Sequence, residues 1–138
     1  MNVRINKNTP ITSFQGWLID GGMQKPPQRV ALVTGLKPDK VAHYEYLHTN
    51  VWPAVTRIIK ERHIRNFSIY KCEINGQPFL FSYFEYTGTD FDADMARMAA
   101  DPEIQRWWKE TDSCQLPLPA ATAKGKIWSD MTELYYLP

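Results

Sequence analysis

The chain has 138 residues, room for one domain, and its 43% hydrophobic and 22% charged residues support a buried core and exclude a disordered chain. Sixteen Lys and Arg against fifteen Asp and Glu leave a net charge of +1, without the basic excess of a nucleic-acid binder. Five Trp, seven Tyr and six Phe make the chain rich in aromatic residues.

Residues 1–28 read as an N-terminal extension to a domain spanning 29–138. They lack the apolar core and small-residue cleavage site of a signal peptide. Turn signals stand at Asp20-Gly21-Gly22 and a break at Pro26-Pro27. Phe14, Trp17, Leu18 and Ile19 are expected to dock this segment onto the domain or a neighbouring subunit. From Arg29 the pattern is strand, helix, strand, strand, helix, strand. The apolar run RVALVTGL ends before Pro38, a residue suited to a first helical turn. Helical spacing follows from Asp39 to His63 in two pieces. Val41, Tyr44, His48 and Val51 share one face of the first, and Val55, Ile58 and Ile59 form the stripe of the second. Pro53 interrupts the backbone ladder, so a break is expected near Asn50 to Trp52.

IRNFSIYKCEI and PFLFSYFEY are strand-like and joined through Asn75-Gly76, a strong hairpin signal. DFDADMARMAADPEIQRWWKE reads as a helix interrupted at Asp101-Pro102 and restarted to Glu110. A polar loop is expected from Thr111 to about Lys126, then a closing strand from Met131 to Leu137. No apolar run approaches the ~18 residues of a membrane helix, so neither a membrane nor nucleic acid is expected as a partner.

This element order is the ferredoxin-like βαββαβ plan, an α+β fold with an antiparallel sheet and both helices on one face. The open face of such a sheet should be polar. Here it is not: Phe79, Phe81 and Tyr83 point one way, while Leu80, Phe84 and Tyr86 point the other. In the closing strand Leu134 and Tyr136 oppose Met131, Tyr135 and Leu137. Two helices cover one face only, and a second copy of the sheet is the simplest cover for the other. A homodimer packed sheet to sheet, a dimeric α+β barrel, is therefore expected.

The chain has no phosphate-binding glycine loop, nucleophile elbow or dinucleotide fingerprint. Cys72 and Cys114 are too few for a disulfide scaffold and lack metal-type spacing, which favours a reducing, cytoplasmic setting. Nothing in the sequence places a histidine beside Cys114, so a structural thiol is the simpler reading. His43 and His48 diverge by roughly 140° on one helix and cannot chelate one ion. No metal site is expected.

Tyr44 and His48 lie one helical turn apart. The pair reads either as an amphipathic face whose polar tips find backbone partners, or as a pocket wall carrying a proton-transfer group near neutrality. Trp107 and Trp108 diverge by about 100° and cannot share one core stripe. Either one is core and the other interface, or both flank a site where the helix ends, beside Asp112. Flat aromatic faces beside carboxylate and imidazole suit a small polar ligand with apolar C–H faces, such as a sugar.

Tyr44-Glu45-Tyr46-Leu47-His48-Thr49-Asn50-Val51-Trp52-Pro53 resembles the Y-x-x-x-H-x-x-x-W-P signature of the L-rhamnose mutarotase family. Gln105-Arg106-Trp107-Trp108-Lys109 and the closing Glu133-Leu134-Tyr135-Tyr136-Leu137-Pro138 are similar to that family's later motifs. The resemblance implies a cofactor-free epimerase acting at the anomeric carbon of a 6-deoxy-hexose, on a dimeric ferredoxin-like fold. It makes His48 the catalytic proton donor and Tyr44, Trp107 and Trp108 substrate contacts. Asp112 is added as a neighbouring polar contact. Phe67 stands where the family's rhamnose enzymes carry a substrate-contacting tyrosine, and the run after the tryptophans, KETDSCQLP, departs from theirs. L-Rhamnose is the expected sugar, with L-fucose the alternative. A ferredoxin-like monooxygenase and a dimeric sugar sensor without turnover are the rival functions, and neither accounts for the two motifs as well.

Overall fold

The computed structural model describes residues 18–19, 22–23 and 26–138. Strand β1 (Leu18–Ile19) pairs antiparallel with β2 (Gly22–Met23), Leu18 opposite Met23. The expected docking through Phe14, Trp17, Leu18 and Ile19 rests on side chains outside the described residues.

Strand β3 (Gln28–Leu36) leads through a single 3-10 turn at Pro38–Lys40 into helix α1 (Val41–Thr49). Asn50 closes that helix, and helix α2 (Pro53–Glu61) restarts with Pro53 in its first turn. There the missing N–H is no loss, because a first-turn N–H has no partner within the helix. Trp52 is extended, with φ −63° and ψ 131°, as the residue before a proline must be. The break at Asn50 to Trp52 thus has the cause expected from the sequence. Strands β4 (Ile64–Ile74) and β5 (Gln77–Tyr86) form a hairpin. Its turn residues Asn75 and Gly76 both take left-handed backbone, φ 51° and 78°, matching the right-handed twist of the strands.

Helix α3 (Phe91–Ala100) opens on Asp90, whose carboxylate accepts from the Ala93 N–H. Asp101 ends it and caps helix α4 (Pro102–Asp112), accepting from the Glu103 and Ile104 N–H groups. Each such cap is worth about 1 kcal/mol, which is why one helical pattern becomes two helices around Asp101-Pro102.

The sheet runs β4-β5-β3, antiparallel throughout, and its fourth position beside β3 is shared by two short strands. Strand β6 (Gln115–Leu116) pairs with Leu36 and Gly35, and strand β7 (Ser129–Asp130) pairs with Val33 and Leu32. This is the ferredoxin-like strand order. β6 approaches so closely that a Cβ on Gly35 would lie 2.5 Å from the Leu116 carbonyl oxygen, so glycine is required there.

Two expectations are corrected. The segment Thr111 to Lys126 is not plain loop: α4 continues to Asp112, and β6 and a short helix α5 (Pro119–Thr122) follow. The closing strand is Ser129–Asp130, not Met131 to Leu137, which has no regular secondary structure. Met131 donates one more ladder bond to the Ala31 carbonyl, at 2.9 Å. Beyond it, side chains hold the tail. Arg29 donates from Nε and Nη2 to the two Glu133 carboxylate oxygens, at 2.8 and 3.2 Å, and its guanidinium lies 3.3 Å from the Tyr136 ring centroid. The β7 register, carried three residues past Asp130, sets Glu133 opposite Arg29. Alternation predicts a strand only where a neighbouring edge continues to pair.

The helix-covered face carries the core. Leu47, Val55, Ile58, Ile64, Phe84, Met98, Ile104 and Trp107 form one cluster, and Leu36, Tyr44, Leu80 and Cys114 a second. Burying side chains such as Ile104 and Val55 completely contributes roughly 1.5–3 kcal/mol each. In β5 the expected two-sidedness is present: Leu80, Phe84 and Tyr86 are buried, while Phe79, Phe81 and Tyr83 are half-buried on the other face. On neighbouring β4, Tyr70, paired with Phe81, is 65% exposed. No helix among the described residues is long and apolar enough to cross a membrane.

Candidate active site

A cavity of about 1180 Å³ lies between the helices and the inner face of the sheet. Its walls hold all six residues singled out from the sequence: Tyr44, His48, Phe67, Trp107, Trp108 and Asp112.

Helix α1 presents Tyr44 and His48 one turn apart, their rings stacked with centroids 4.2 Å apart and 29° between planes. His48 Nδ1 lies 2.8 Å from the Tyr44 carbonyl oxygen. A carbonyl can only accept, so Nδ1 carries the proton and donates it, and Nε2 is the nitrogen left for chemistry. Burial holds the His48 pKa below the ordinary imidazole value; the bond to the Tyr44 carbonyl works the other way and is the weaker influence. Neutral imidazole is therefore the resting form at neutral pH.

Helix α4 supplies the opposite wall. The Trp107 ring meets His48 edge-on, centroids 5.5 Å apart, and meets Trp52 in the same manner at 5.2 Å. Trp107 is 6% exposed and belongs to the core, whereas Trp108 is 36% exposed at the cavity rim. Their divergence is the one helical geometry requires, and both still border the cavity. Asp112 ends α4. Its side chain is substantially open to solvent, yet the protein surface beside it removes enough water to raise its pKa above the usual carboxylate value. Phe67 follows the irregularity between Arg65 and Ser68 in β4 and packs on Phe84, ring centroids 5.6 Å apart.

Tyr44 is 4% exposed, and burial pushes its hydroxyl pKa well above the ordinary phenol value, so it stays protonated. The neighbouring Gln115 side chain is a smaller influence in the opposite direction. Gln115 and Trp128 also line the cavity, and neither was evident from the sequence. Gln115 faces inward because β6 sets it opposite Leu36, a fully buried member of the second core cluster. Trp128 packs on that same cluster. Gln115 belongs to the fourth sheet position and Trp128 directly precedes its second strand, β7; the pairing of these strands with β3 has no local signature.

The remaining histidines and Cys114 lie apart. His43 Nε2 is 3.2 Å from a Glu110 carboxylate oxygen on the exposed side of the helices. His63 sits at a left-handed backbone position, φ 65°, with its ring edge-on to Tyr86. Among the described residues no three His, Cys, Asp or Glu side chains converge. Cys114 is fully buried, its thiol 3.5 Å from the Glu110 carbonyl oxygen within the last turn of α4. The site is thus an apolar cleft with a neutral histidine, a protonated tyrosine, a carboxyl group and two tryptophan faces. That combination can hold a small hydroxylated ring and move protons to and from its oxygens.

A family model described as L-rhamnose mutarotase matches residues 29–137. The L-rhamnose mutarotase of Bacillus subtilis is 30% identical over 112 residues, covering 80% of this chain and 98% of that protein. The L-rhamnose mutarotase of Opitutus terrae is 27% identical over 109 residues, covering 79% and 97%. Among solved structures, an L-rhamnose mutarotase from Formosa agariphila superposes with a TM-score of 0.60 at 18% identity, covering 80% of this chain and 99% of that one. The structural likeness speaks for the fold.

Proposed function

The chain belongs to the L-rhamnose mutarotase family, and from that premise we propose that it interconverts the α and β anomers of L-rhamnose by acid/base opening and closure of the hemiacetal ring. The observation that carries this reading is His48, half-buried against Trp107 with Nδ1 tied to the Tyr44 carbonyl and Nε2 left for substrate. Residues 29–138 form the domain in this reading, and residues 1–28 are an extension to it.

Ring opening breaks the C1–O5 bond. The ring oxygen must gain a proton, and the anomeric hydroxyl must lose one to become the aldehyde. In our reading His48 and Asp112 share the proton that makes this possible. The imidazolium delivers it from Nε2 to the ring oxygen while the carboxylate takes the proton of the anomeric hydroxyl. The aldehyde then turns about C1–C2, and reclosure on the other face returns both protons. The lowered pKa of His48 and the raised pKa of Asp112 bring their proton affinities together, so the proton can pass in either direction at small cost. Such positioned acid/base groups contribute about 10²–10⁴-fold. The Tyr44 hydroxyl, held protonated, orients the sugar, and the Trp107 and Trp108 faces take its C–H side and exclude water.

A homodimer is part of this reading. Phe79, Phe81 and Tyr83 on the outer face of β5 and the exposed Tyr70 of β4 form an apolar surface that a second sheet would cover. A cytoplasmic setting is likewise proposed, in keeping with the free thiols of Cys72 and Cys114.

The test is saturation-transfer proton NMR on equilibrated L-rhamnose and L-fucose, with and without protein. Saturating one anomeric proton and observing the other reports exchange directly. Protein-dependent transfer with L-rhamnose is expected. Transfer with L-fucose alone would reassign the substrate and connect Phe67 with the change, and transfer with neither would overturn the reading.

A further inference from the structure

We infer that Ser82 is a sugar-contacting residue on the floor of this cavity, its hydroxyl sharing a hydrogen bond with a sugar hydroxyl; the inference rests on the proposed sugar-binding role of the cavity. Ser82 lies in the middle of β5, on the helix-covered face with Leu80 and Phe84, and these are the residues of β5 that border the cavity. Its partners across the sheet, Leu32 of β3 and Ile69 of β4, border the cavity as well. A hydroxyl thus stands among apolar side chains, where the strand alternation would favour another apolar residue. Ser82 is 5% exposed, and no hydrogen bond to its Oγ is made among the described residues. That oxygen is not enclosed as the Gln115 Oε1 and Ser129 Oγ atoms are; it opens onto the cavity. Buried polar groups nearly always have a partner, and in apolar surroundings an unmet hydroxyl is disfavoured, so the partner has to come from within the cavity.

The position suits a sugar bound at His48. Leu80 belongs to the core cluster that holds Tyr44, and Phe84 to the cluster that holds Leu47 and Trp107. Ser82 lies between them on the strand, about 7 Å from each. The stacked rings of Tyr44 and His48 line the same cavity from helix α1. A sugar ring seated between α1 and the sheet therefore meets imidazole on its helix side and the serine hydroxyl on its sheet side. With the anomeric centre at His48, Ser82 meets a hydroxyl on a ring carbon away from that centre. Serine and sugar hydroxyls each donate and accept, so the bond can run in either sense. A serine also leaves space that a leucine would fill, so the hydroxyl has to be separated from the space.

Ser82→Ala keeps the space and removes the hydroxyl. Sugar affinity is measured by calorimetry with L-rhamnose and L-fucose, anomer exchange by saturation transfer, and stability by thermal unfolding without sugar. The expected result is about three- to tenfold weaker affinity for the sugar that the unaltered chain binds better, kcat within about twofold, and an unchanged or higher Tm, because an unmet hydroxyl is gone. Analogues of that sugar lacking the hydroxyl at C2, C3 or C4 identify the contact: one of them should bind equally to the unaltered chain and to Ser82→Ala. Unchanged affinity for the full sugar, or a loss that persists with every analogue, would overturn the inference while exchange by the unaltered chain left the mutarotase reading standing. A fall in Tm matching the loss of affinity would overturn it in favour of a structural role. If the unaltered chain binds sugar without accelerating exchange and Ser82→Ala binds it more weakly, the contact stands and the mutarotase reading fails. Absence of sugar binding by the unaltered chain overturns both.

Discussion

The Nδ1 atom of His48 lies 2.8 Å from the carbonyl oxygen of Tyr44, one turn earlier on the same helix. A backbone carbonyl has two lone pairs, so the Tyr44 oxygen can take the ring N–H beside a helical bond, and here it selects the histidine tautomer. The residue that stacks on the imidazole therefore also decides which nitrogen is free, joining the helix backbone to the imidazole.

His48→Asn keeps an N–H near the position of Nδ1 and removes the basic nitrogen. The Tyr44 carbonyl can still be met, so the fold should survive with an unchanged circular dichroism spectrum. Anomer exchange should fall by about 10²–10⁴-fold. Exchange at the original rate would remove His48 from the mechanism.

The pH dependence follows from the direction of the His48 shift. Burial depresses its pKa in the folded state, so the alkaline limb of kcat/KM, along which the proton-donating imidazolium is lost, should set in below the ordinary imidazole value of ~6.5. The sign for stability is fixed too. Between the unfolded and the folded pKa the unfolded chain binds more protons, so this contribution is full above about pH 6.5 and is lost as the pH falls through the folded value. NMR titration of the His48 ring, with a pH series of denaturant midpoints, checks both. A ring that titrates above the ordinary value would contradict the burial argument.

The two tryptophans should separate by phenotype. Trp107 is buried and touches both His48 and Trp52, so Trp107→Ala should cost about 3–5 kcal/mol in urea unfolding as well as weaken sugar binding. Trp108 stands at the rim, and Trp108→Ala should leave stability within about 1 kcal/mol while raising KM roughly 3- to 10-fold. Equal destabilisation by the two substitutions would show that both are core residues.

Phe81 tests the proposed dimer. It lies on the outer face of β5, away from the cavity walls. The unaltered chain should sediment as a dimer at micromolar concentration, and Phe81→Arg should sediment as a folded monomer, because a buried unpaired charge opposes the sheet-to-sheet contact. A monomeric unaltered chain would leave the outer face to another partner.

Local sequence determined most of the elements of this protein. Pro53 and Asp101-Pro102 divide the helical segments because proline lacks an N–H and restrains the residue before it. Asn75-Gly76 specifies the hairpin because both residues tolerate left-handed backbone. The one-turn spacing of Tyr44 and His48 makes them neighbours in any helix. Only the tertiary structure decided that α1 and α4 meet so that Trp107 lies against His48, that His48 is buried enough to rest neutral, and that Gln115 joins the cavity wall. It also stopped the last strand at Asp130 and gave the tail to Arg29 through Glu133 and Tyr136. Helices and tight turns are closed by bonds between residues a few positions apart, so their signals lie in short stretches of chain. The fourth position of the sheet and the desolvation of an imidazole depend on groups brought together across the length of the domain, and no local pattern records them.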